Sequence, residues 1–416
     1  MGLAKDRIMK GLRGWSLLGD KSACHNCIED DALKSFVKAT ADQDHCDYCG
    51  RSAKKPIAVA VDDLVNHIND SLLSEYADPD DEGVIYESRE GGYQGVEVFD
   101  TWDLLDEIIG NPLANDDLLR DVATAFNHYW CQKHFAQLKP EEALKYGWEE
   151  FTRTVNHSRR YLFSIAPDEH ADGRGFEEIP PAQFLGRLEE VINQVDLVRL
   201  LPAGTRIVRG RAHHPHERFT AAAELGTPTV RAACYSNRMS PAGIPMFYGA
   251  FDENTVRAEL YDSLRSKQII TVGTFLTARA FRVLDLTNLP GIPSLFDTEN
   301  RHKRPGLKFL CHFVQDLSGP ISKDGREHID YVPTQVVTEY FRKVFRDDQG
   351  EPVKGITYNS SRRGMGKCCV LFFEHDECCD ISPGWDRTIK STTGRDKIKW
   401  LGLDQSTVKR VKPLKA

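Results

Sequence analysis

Three motifs that carry arginine, glutamate and serine stand far apart in this 416-residue chain. They are Arg206-Ile-Val-Arg-Gly-Arg211, then Asn237-Arg-Met-Ser-Pro-Ala-Gly-Ile-Pro-Met-Phe-Tyr-Gly-Ala250 with Glu259 beyond it, and finally Gly355-Ile-Thr-Tyr-Asn-Ser360. The apolar pattern around Arg209 predicts a strand. The segment after Ala250 predicts a helix with Glu259 in its first two turns, and Ser360 follows a later strand. A guanidinium can hold a diphosphate or ribose oxygen through two parallel hydrogen bonds, which lysine does not match. A fixed carboxylate beside a sugar stabilises positive charge as it develops there. Together these groups suit the breaking of an N-glycosidic bond to a cationic base that leaves as a neutral ring. Read locally, each has a plainer alternative: surface charge for the arginines, a solvated helix glutamate for Glu259, and a core ring for Tyr248.

A second constellation is Cys24-His-Asn-Cys27 and Cys46-Asp-Tyr-Cys49, two CxxC pairs with eighteen residues between them. Each pair can turn two thiolates toward one tetrahedral ion, so Cys24, Cys27, Cys46 and Cys49 are expected to hold zinc. Four sulfurs close the shell and leave no position for substrate, which makes the site structural. His25 and His45 lie beside the ligands without being needed. The total of eleven cysteines is odd and no secretion signal precedes them, so reduced thiols are expected in place of disulfides. Cys368-Cys369 and Cys378-Cys379, with His375 between them, read as buried thiols. His213-His-Pro-His216 reads as a solvated loop.

The elements that must carry these residues follow from periodicity. Val61, Leu64, Val65, Ile68, Leu72 and Leu73 fall on one helix face. Ala77–Gly95, rich in glycine and acid, reads as a surface loop. Helices are expected over Trp102–Ile109, after Asn115-Asp-Asp, and from Pro140-Glu-Glu past Phe151. A polar linker spans Asp168–Gly175, and a helix runs from about Pro181 to Val195. Beyond it, strands at Ile269–Phe275, Phe281–Leu286 and Val370–Phe373 alternate with helices near Thr255–Ser266 and Pro333–Phe345. The class is α+β. The expected domains are a zinc knuckle at 1–55, a helical domain at 56–200, a catalytic domain at 201–380 and a basic tail at 381–416.

Charge and composition narrow the partners. Apolar residues make up 40% of the chain, charged residues 28%, and the net charge is -8, as in a soluble globular protein. Residues 51–150 hold 22 acidic against 8 basic side chains, which would repel nucleic acid; residues 385–416 hold 9 basic against 3 acidic. No apolar run reaches the roughly 18 residues of a membrane span, so a cytoplasmic protein with no membrane partner is expected. No glycine-rich dinucleotide fingerprint follows a strand, and no phosphate-binding P-loop is present.

The dispersed motifs, in this order, resemble the RES domain, named for its Arg, Glu and Ser, over about Ala203–His375. The paired CxxC, the acidic loop and Val155-Asn-His-Ser-Arg-Arg-Tyr161 are similar to the HEPN/RES type of N-terminal region. The resemblance implies a fold related to ADP-ribosyltransferases, a twisted pair of sheets enclosing an NAD cleft, and cleavage at the nicotinamide bond with water or inorganic phosphate as acceptor. It assigns Arg209, Glu259 and Ser360 to catalysis, with Ser361 one position away as the other candidate serine. Arg211, Asn237, Arg238, Tyr248, Tyr358 and Gln335 would bind NAD or order its site. Family members act as toxins checked by an antitoxin, or deplete NAD in antiphage defence, so an antitoxin, a phage-derived trigger and self-association are the partners implied. ADP-ribosyl transfer to a protein or nucleic acid is the second reading, and an inactive zinc-dependent binding module the third. Some HEPN proteins cut RNA with an Arg and a His on one helix. Arg153 and His157 are closer together than that pattern requires and sit in an acidic domain, so they read as a solvated helix face with an ordinary His and no RNase activity is transferred.

Overall fold

The computed structural model describes residues 13–126, 128–165, 178–261, 268–319, 325–364, 366–382 and 398–414. The linker expected at Asp168–Gly175 lies outside them, as do the end of the helix expected to reach Ser266 and most of the basic segment before residue 398. Helices and a large mixed sheet make the protein α+β. The chain forms two compact units. One runs through Leu138 and includes Ile292–Arg304; the other comprises Lys139–Gly291 and Pro305–Ala416.

In the first unit, Ser22–Cys24 pairs antiparallel with Ala58–Ala60 and frames the cysteine knuckle. The helix Asp31–Thr40 starts where Asp30 accepts hydrogen bonds from the amides of Ala32 and Leu33, and Asp116–Ala125 starts where Asn115 accepts from Leu118. Val61, Leu64, Val65, Ile68 and Leu72 are buried along Val61–Leu72, as their spacing predicts. Leu73 falls past the last turn and is exposed. The helix expected at Trp102–Ile109 begins under an Asp100 cap and then widens, so that the Ile109 amide reaches back to the Leu104 carbonyl. Within the acidic segment, Tyr86–Glu87 pairs with Gly92–Tyr93, and Tyr76–Ala77 and Val98–Phe99 flank Trp130–Gln132. Pairings this short are below the length at which alternation can be read from sequence. Ile292–Arg304 joins this unit through the His67 ring, 3.0 Å from the Phe296 carbonyl, and through Arg304, which donates to Glu75 at 2.7 Å.

The second unit is built on one sheet of nine strands. In chain order they are β1 (Val198–Leu201), β2 (Arg206–His213), β3 (Phe247–Ala250), β4 (Ile269–Thr277), β5 (Phe281–Asp285), β6 (Gly355–Asn359), β7 (Lys367–Leu371), β8 (Cys378–Asp380) and β9 (Leu401–Val411). Their spatial order is β8-β9-β4-β2-β3-β7-β6-β5-β1, with β5–β6 and β8–β9 parallel and the other pairs antiparallel. The resemblance implied two sheets. Here the strands form one continuous ladder, and β4 carries a register shift between Val272 and Thr274 where it can bend. Leu401–Val411 corrects the reading of the C-terminus as a tail: it pairs along β4 from Thr277 to Ile270. Its polar second half hides this, because only Leu401, Gly402 and Leu403 are buried.

The sheet's two faces differ, and this decides the site. Helix α3 (Glu253–Tyr261) packs its Val256 and Leu260 onto one face, over Gly210, Val272, Ala250 and Cys368. Helices α1 (Pro140–His157), α2 (Pro181–Gln194), α4 (Arg304–Ser318) and α5 (Val332–Lys343) bury Phe151, Phe184, Phe313 and Phe341 with Val370 and Ile356 of that same face. On α1, exposed Arg153 pairs with Glu150. The opposite face is lined by Ile207, Phe247, Phe275, Cys369, Leu371 and Leu403.

At the end of β5, Asp285 accepts from the Thr287 amide (2.9 Å), the Thr287 hydroxyl (2.7 Å) and the Thr357 hydroxyl (2.8 Å). Burial opposes its ionisation, but these bonds, with Lys367 nearby, outweigh burial and hold the carboxyl below the ordinary 3.8. A carboxyl depressed in the folded state contributes stability above its unfolded pKa and loses it as pH falls through the folded value. Asp285→Asn should therefore be less stable than the wild type at pH 7, and the gap should narrow as pH is lowered from about 4 toward 2. Thermal melts across that range check this, and a constant gap would contradict it.

Candidate active site

Glu259 stands at the side of α3, where β6 and β7 pass beneath. Its Oε1 accepts a short hydrogen bond from the Ser360 hydroxyl, and the Cys368 thiol lies 4.0 Å from the same oxygen. Of the two candidate serines, Ser360 is buried against Glu259 and Ser361 is exposed. Ser360 Oγ also accepts from the amides of Arg362 and Arg363, each at 3.2 Å, which fixes the hydroxyl proton toward the carboxylate.

Tyr248 and Tyr358 point to this same face, since Val370 and Cys368, their cross-strand partners on β7, do so. Tyr248 donates to Ser240 Oγ at 2.9 Å. Burial pushes its phenol up to about 12 and that of Tyr358 well above its usual range, so both stay neutral donors at any physiological pH. Asn237 and Ser240 close a tight turn through reciprocal backbone bonds of 2.8 and 3.2 Å. Gln335, at the start of α5, steadies that turn by donating to the Ser236 hydroxyl and the Asn237 carbonyl, both at 2.7 Å. Arg238 projects from the turn, donates to the Leu317 carbonyl at 3.0 Å, and lies within electrostatic reach of Tyr358, Tyr331, Glu259 and Arg362. Burial is the main influence lowering its pKa.

Arg209 is elsewhere. Strand alternation puts it on the face opposite Gly210, and therefore opposite α3 and Glu259. There its guanidinium lies 4.6 Å from the centroid of the Phe247 ring, near the Cys378 and Cys369 thiols, and donates to the Tyr248 carbonyl at 2.9 Å. Burial, helped by neighbouring Arg211, lowers its pKa to about 9, and its Nε has no hydrogen-bond partner. Arg211 shares that face and donates to the Gly226 carbonyl at 2.9 Å. The sheet thus separates the two side chains that the sequence was expected to bring together. Gly210 likewise serves packing: a Cβ there would sit 2.7 Å from Val256 and 2.8 Å from Leu260, so its smallness admits α3.

Sequence reasoning assigned no role to Arg362, Arg363, Tyr331 and Ser240, and Cys368, read as a buried thiol, is buried beside Glu259. The run Ser360-Ser-Arg-Arg-Gly, two arginines directly after the candidate serine, was the available signal.

The four knuckle cysteines meet as expected. Their sulfurs all lie within 4.8 Å of one another, Cys24 to Cys49 at 3.5 Å and Cys27 to Cys46 at 3.7 Å. Thiolates about 2.3 Å from a tetrahedral zinc stand about 3.8 Å apart, so the cluster is compatible with that ion. The Cys24 amide donates to Cys46 Sγ at 3.3 Å, orienting one of the sulfurs. His45 turns to Asp44 and Asp47 instead.

These features define an α+β unit with a carboxylate, a serine, two phenols and a guanidinium toward one sheet face, and a four-thiol cluster in the other unit. Residues 206–389 match the family model of the RES domain, and residues 39–169 that of the HEPN/RES N-terminal domain 1. The chain is therefore a RES-domain protein with a HEPN/RES N-terminal domain. No curated protein matches it significantly. Among solved structures it is similar to a chain of the M. tuberculosis MbcT-MbcA toxin-antitoxin complex, at 12% identity and a TM-score of 0.26, with 54% of this chain and 92% of that one covered. No helix among the described residues is long and apolar enough to cross a membrane.

Proposed function

We propose that this protein cleaves NAD at the bond between nicotinamide and ribose. The observation that carries the proposal is the Ser360–Glu259 hydrogen bond on a sheet face that also presents Tyr248, Tyr358 and Arg238. As the C1′–N bond breaks, its electron pair leaves with nicotinamide, which becomes neutral, and C1′ becomes cationic. Glu259 supplies the negative charge that stabilises this carbon, and Ser360 holds the carboxylate in place. The phenols offer flat, neutral surfaces for the pyridine ring. A water or phosphate oxygen then closes on C1′; when water attacks, its extra proton passes to Glu259 or to solvent. The product is ADP-ribose or its 1-phosphate, and loss of NAD would make the protein a toxin to the cell that holds it, subject to an antitoxin.

Arg238 is the guanidinium assigned to the NAD diphosphate, because it shares the face of Glu259. Arg209 holds the β3 backbone from behind. Losing a charge-assisted bond of about 1.5–3 kcal/mol should raise KM roughly 10- to 100-fold in Arg238→Met. Arg209→Met exchanges a buried, incompletely bonded cation for an apolar side chain, often a neutral change, and should alter KM by less than about threefold. The reverse ranking would return the ligand contact to Arg209.

The product spectrum of the purified protein with labelled NAD, with and without inorganic phosphate, tests the reaction. Free ADP-ribose indicates hydrolysis and ADP-ribose 1-phosphate indicates phosphorolysis. Label retained on a macromolecule indicates ADP-ribosyl transfer, and no release of nicotinamide defeats the proposal.

A further inference from the structure

The loop after β6 that carries Ser360 does not reach Glu259 by chance of packing. It lies along α3 and is fastened to it at two places. Near the start of the helix, Asp252 accepts from the Thr255 amide at 2.9 Å and from the Thr255 hydroxyl, which makes it the helix cap. The same carboxylate accepts from Arg363 Nη1 at 2.6 Å. Seven residues later, two turns along the same helix face, Glu259 accepts from Ser360. The loop is closed on itself by bonds from the Ser360 amide to the Gly366 carbonyl and from the Gly366 amide to the Arg363 carbonyl, both 2.7 Å. Gly366 can lie against α3 only because it has no side chain, since a Cβ there would collide with Thr255.

We propose that Asp252 and Arg363 form a positioning clamp that holds the Ser360 loop against α3 and so fixes the Glu259 carboxylate for the reaction. Neither residue needs to touch substrate. Ser360 accepts the amide of Arg363 itself, so movement of that residue disturbs the bond that orients Glu259. The position matters because a displacement of about 1 Å at a reacting group can cost two orders of magnitude in rate. Cys368 beneath Glu259 is a poor substitute anchor, because its thiol is a weak donor and stands 4.0 Å from the carboxylate oxygen. Both clamp residues are about half exposed, so the pair contributes little to global stability and its loss should be visible mainly in the loop.

The inference rests on the NAD-cleaving reading of this site, and its test separates the two. Asp252→Asn keeps an N-cap acceptor but loses the charge, Arg363→Met loses the partner, and Arg363→Lys restores a cation. Expected are about a tenfold fall in kcat with KM within twofold for Asp252→Asn and for Arg363→Met, a double variant no worse than either single one, and partial recovery in Arg363→Lys. A second readout needs no activity: tryptic cleavage after position 363 in the full chain should be slow in the wild type and several-fold faster in Asp252→Asn. Unchanged kcat and unchanged cleavage, or additive losses in the double variant, would overturn the clamp. Protection that depends on Asp252 in a protein inert toward NAD would leave the clamp standing and remove the reaction assigned to the site.

Discussion

Glu259→Gln is expected to lower nicotinamide release from NAD by about 10²- to 10³-fold while the protein stays folded, because the exchange keeps shape and hydrogen-bonding capacity but removes the charge that opposes the cationic sugar. The loss should appear in kcat more than in KM, since the carboxylate matters most when positive charge has developed. Ser360→Ala should give a smaller fall: it leaves Glu259 in place but frees its orientation. Single-turnover release of nicotinamide, with circular dichroism to confirm folding, measures both. Activity within tenfold of the wild type in Glu259→Gln would mean that the carboxylate bonded to Ser360 is not the centre of the chemistry. Growth arrest on expression supplies a parallel readout, and the Gln variant should relieve it.

Cys46→Ser is the second large effect. Zinc analysis should find about one ion per wild-type chain and markedly less in the variant, because a closed four-thiolate site loses most of its affinity with one ligand. The structural consequence is graded. Cys24, Cys27 and Cys46 are buried in a larger core with Ile28, Leu33, Val37, Leu64 and Leu119, so the rest of that unit retains apolar burial without the ion. Loss of several kcal/mol moves the melting of a unit this size by a few degrees per kcal/mol. A drop on the order of 10 °C is expected, together with faster proteolysis between the two CxxC pairs. A variant that binds no zinc yet melts and resists protease like the wild type would show that the sulfurs meet for packing alone.

Much of the helical framework could be read from the chain because amphipathic spacing and capping residues are local properties. The stripe Val61, Leu64, Val65, Ile68 and Leu72, the Asn115 cap and the proline at the head of α1 each act within a few residues. The knuckle was legible for a similar reason: CxxC fixes two sulfurs within one turn, and only their pairing depends on the fold. Strand β9 was missed because its pairing with β4 bridges more than a hundred residues, and its exposed Gln405, Ser406, Lys409 and Arg410 resemble a tail when read alone.

The site shows where the boundary lies. The sequence by itself determined the chemical inventory: a glutamate on a helix after the tyrosine strand, a serine after a later strand, arginines on the first strand and in a turn, and four thiols spaced for one ion. It also carried the family, through motifs whose order survives wide separation. Which arginine stands with Glu259 was decided only in three dimensions. Arg209 and Gly210 are neighbours in sequence, yet a strand turns consecutive side chains to opposite faces, and the closeness of α3 to Gly210 commits Arg209 to the face of Phe247 and Cys369. Arg238, from a turn held by Gln335 on a distant helix, comes within electrostatic reach of Tyr358 and Glu259. Side-chain identity is written locally, whereas the face on which a side chain acts depends on what packs against its strand, and that is settled by contacts between segments far apart in the chain.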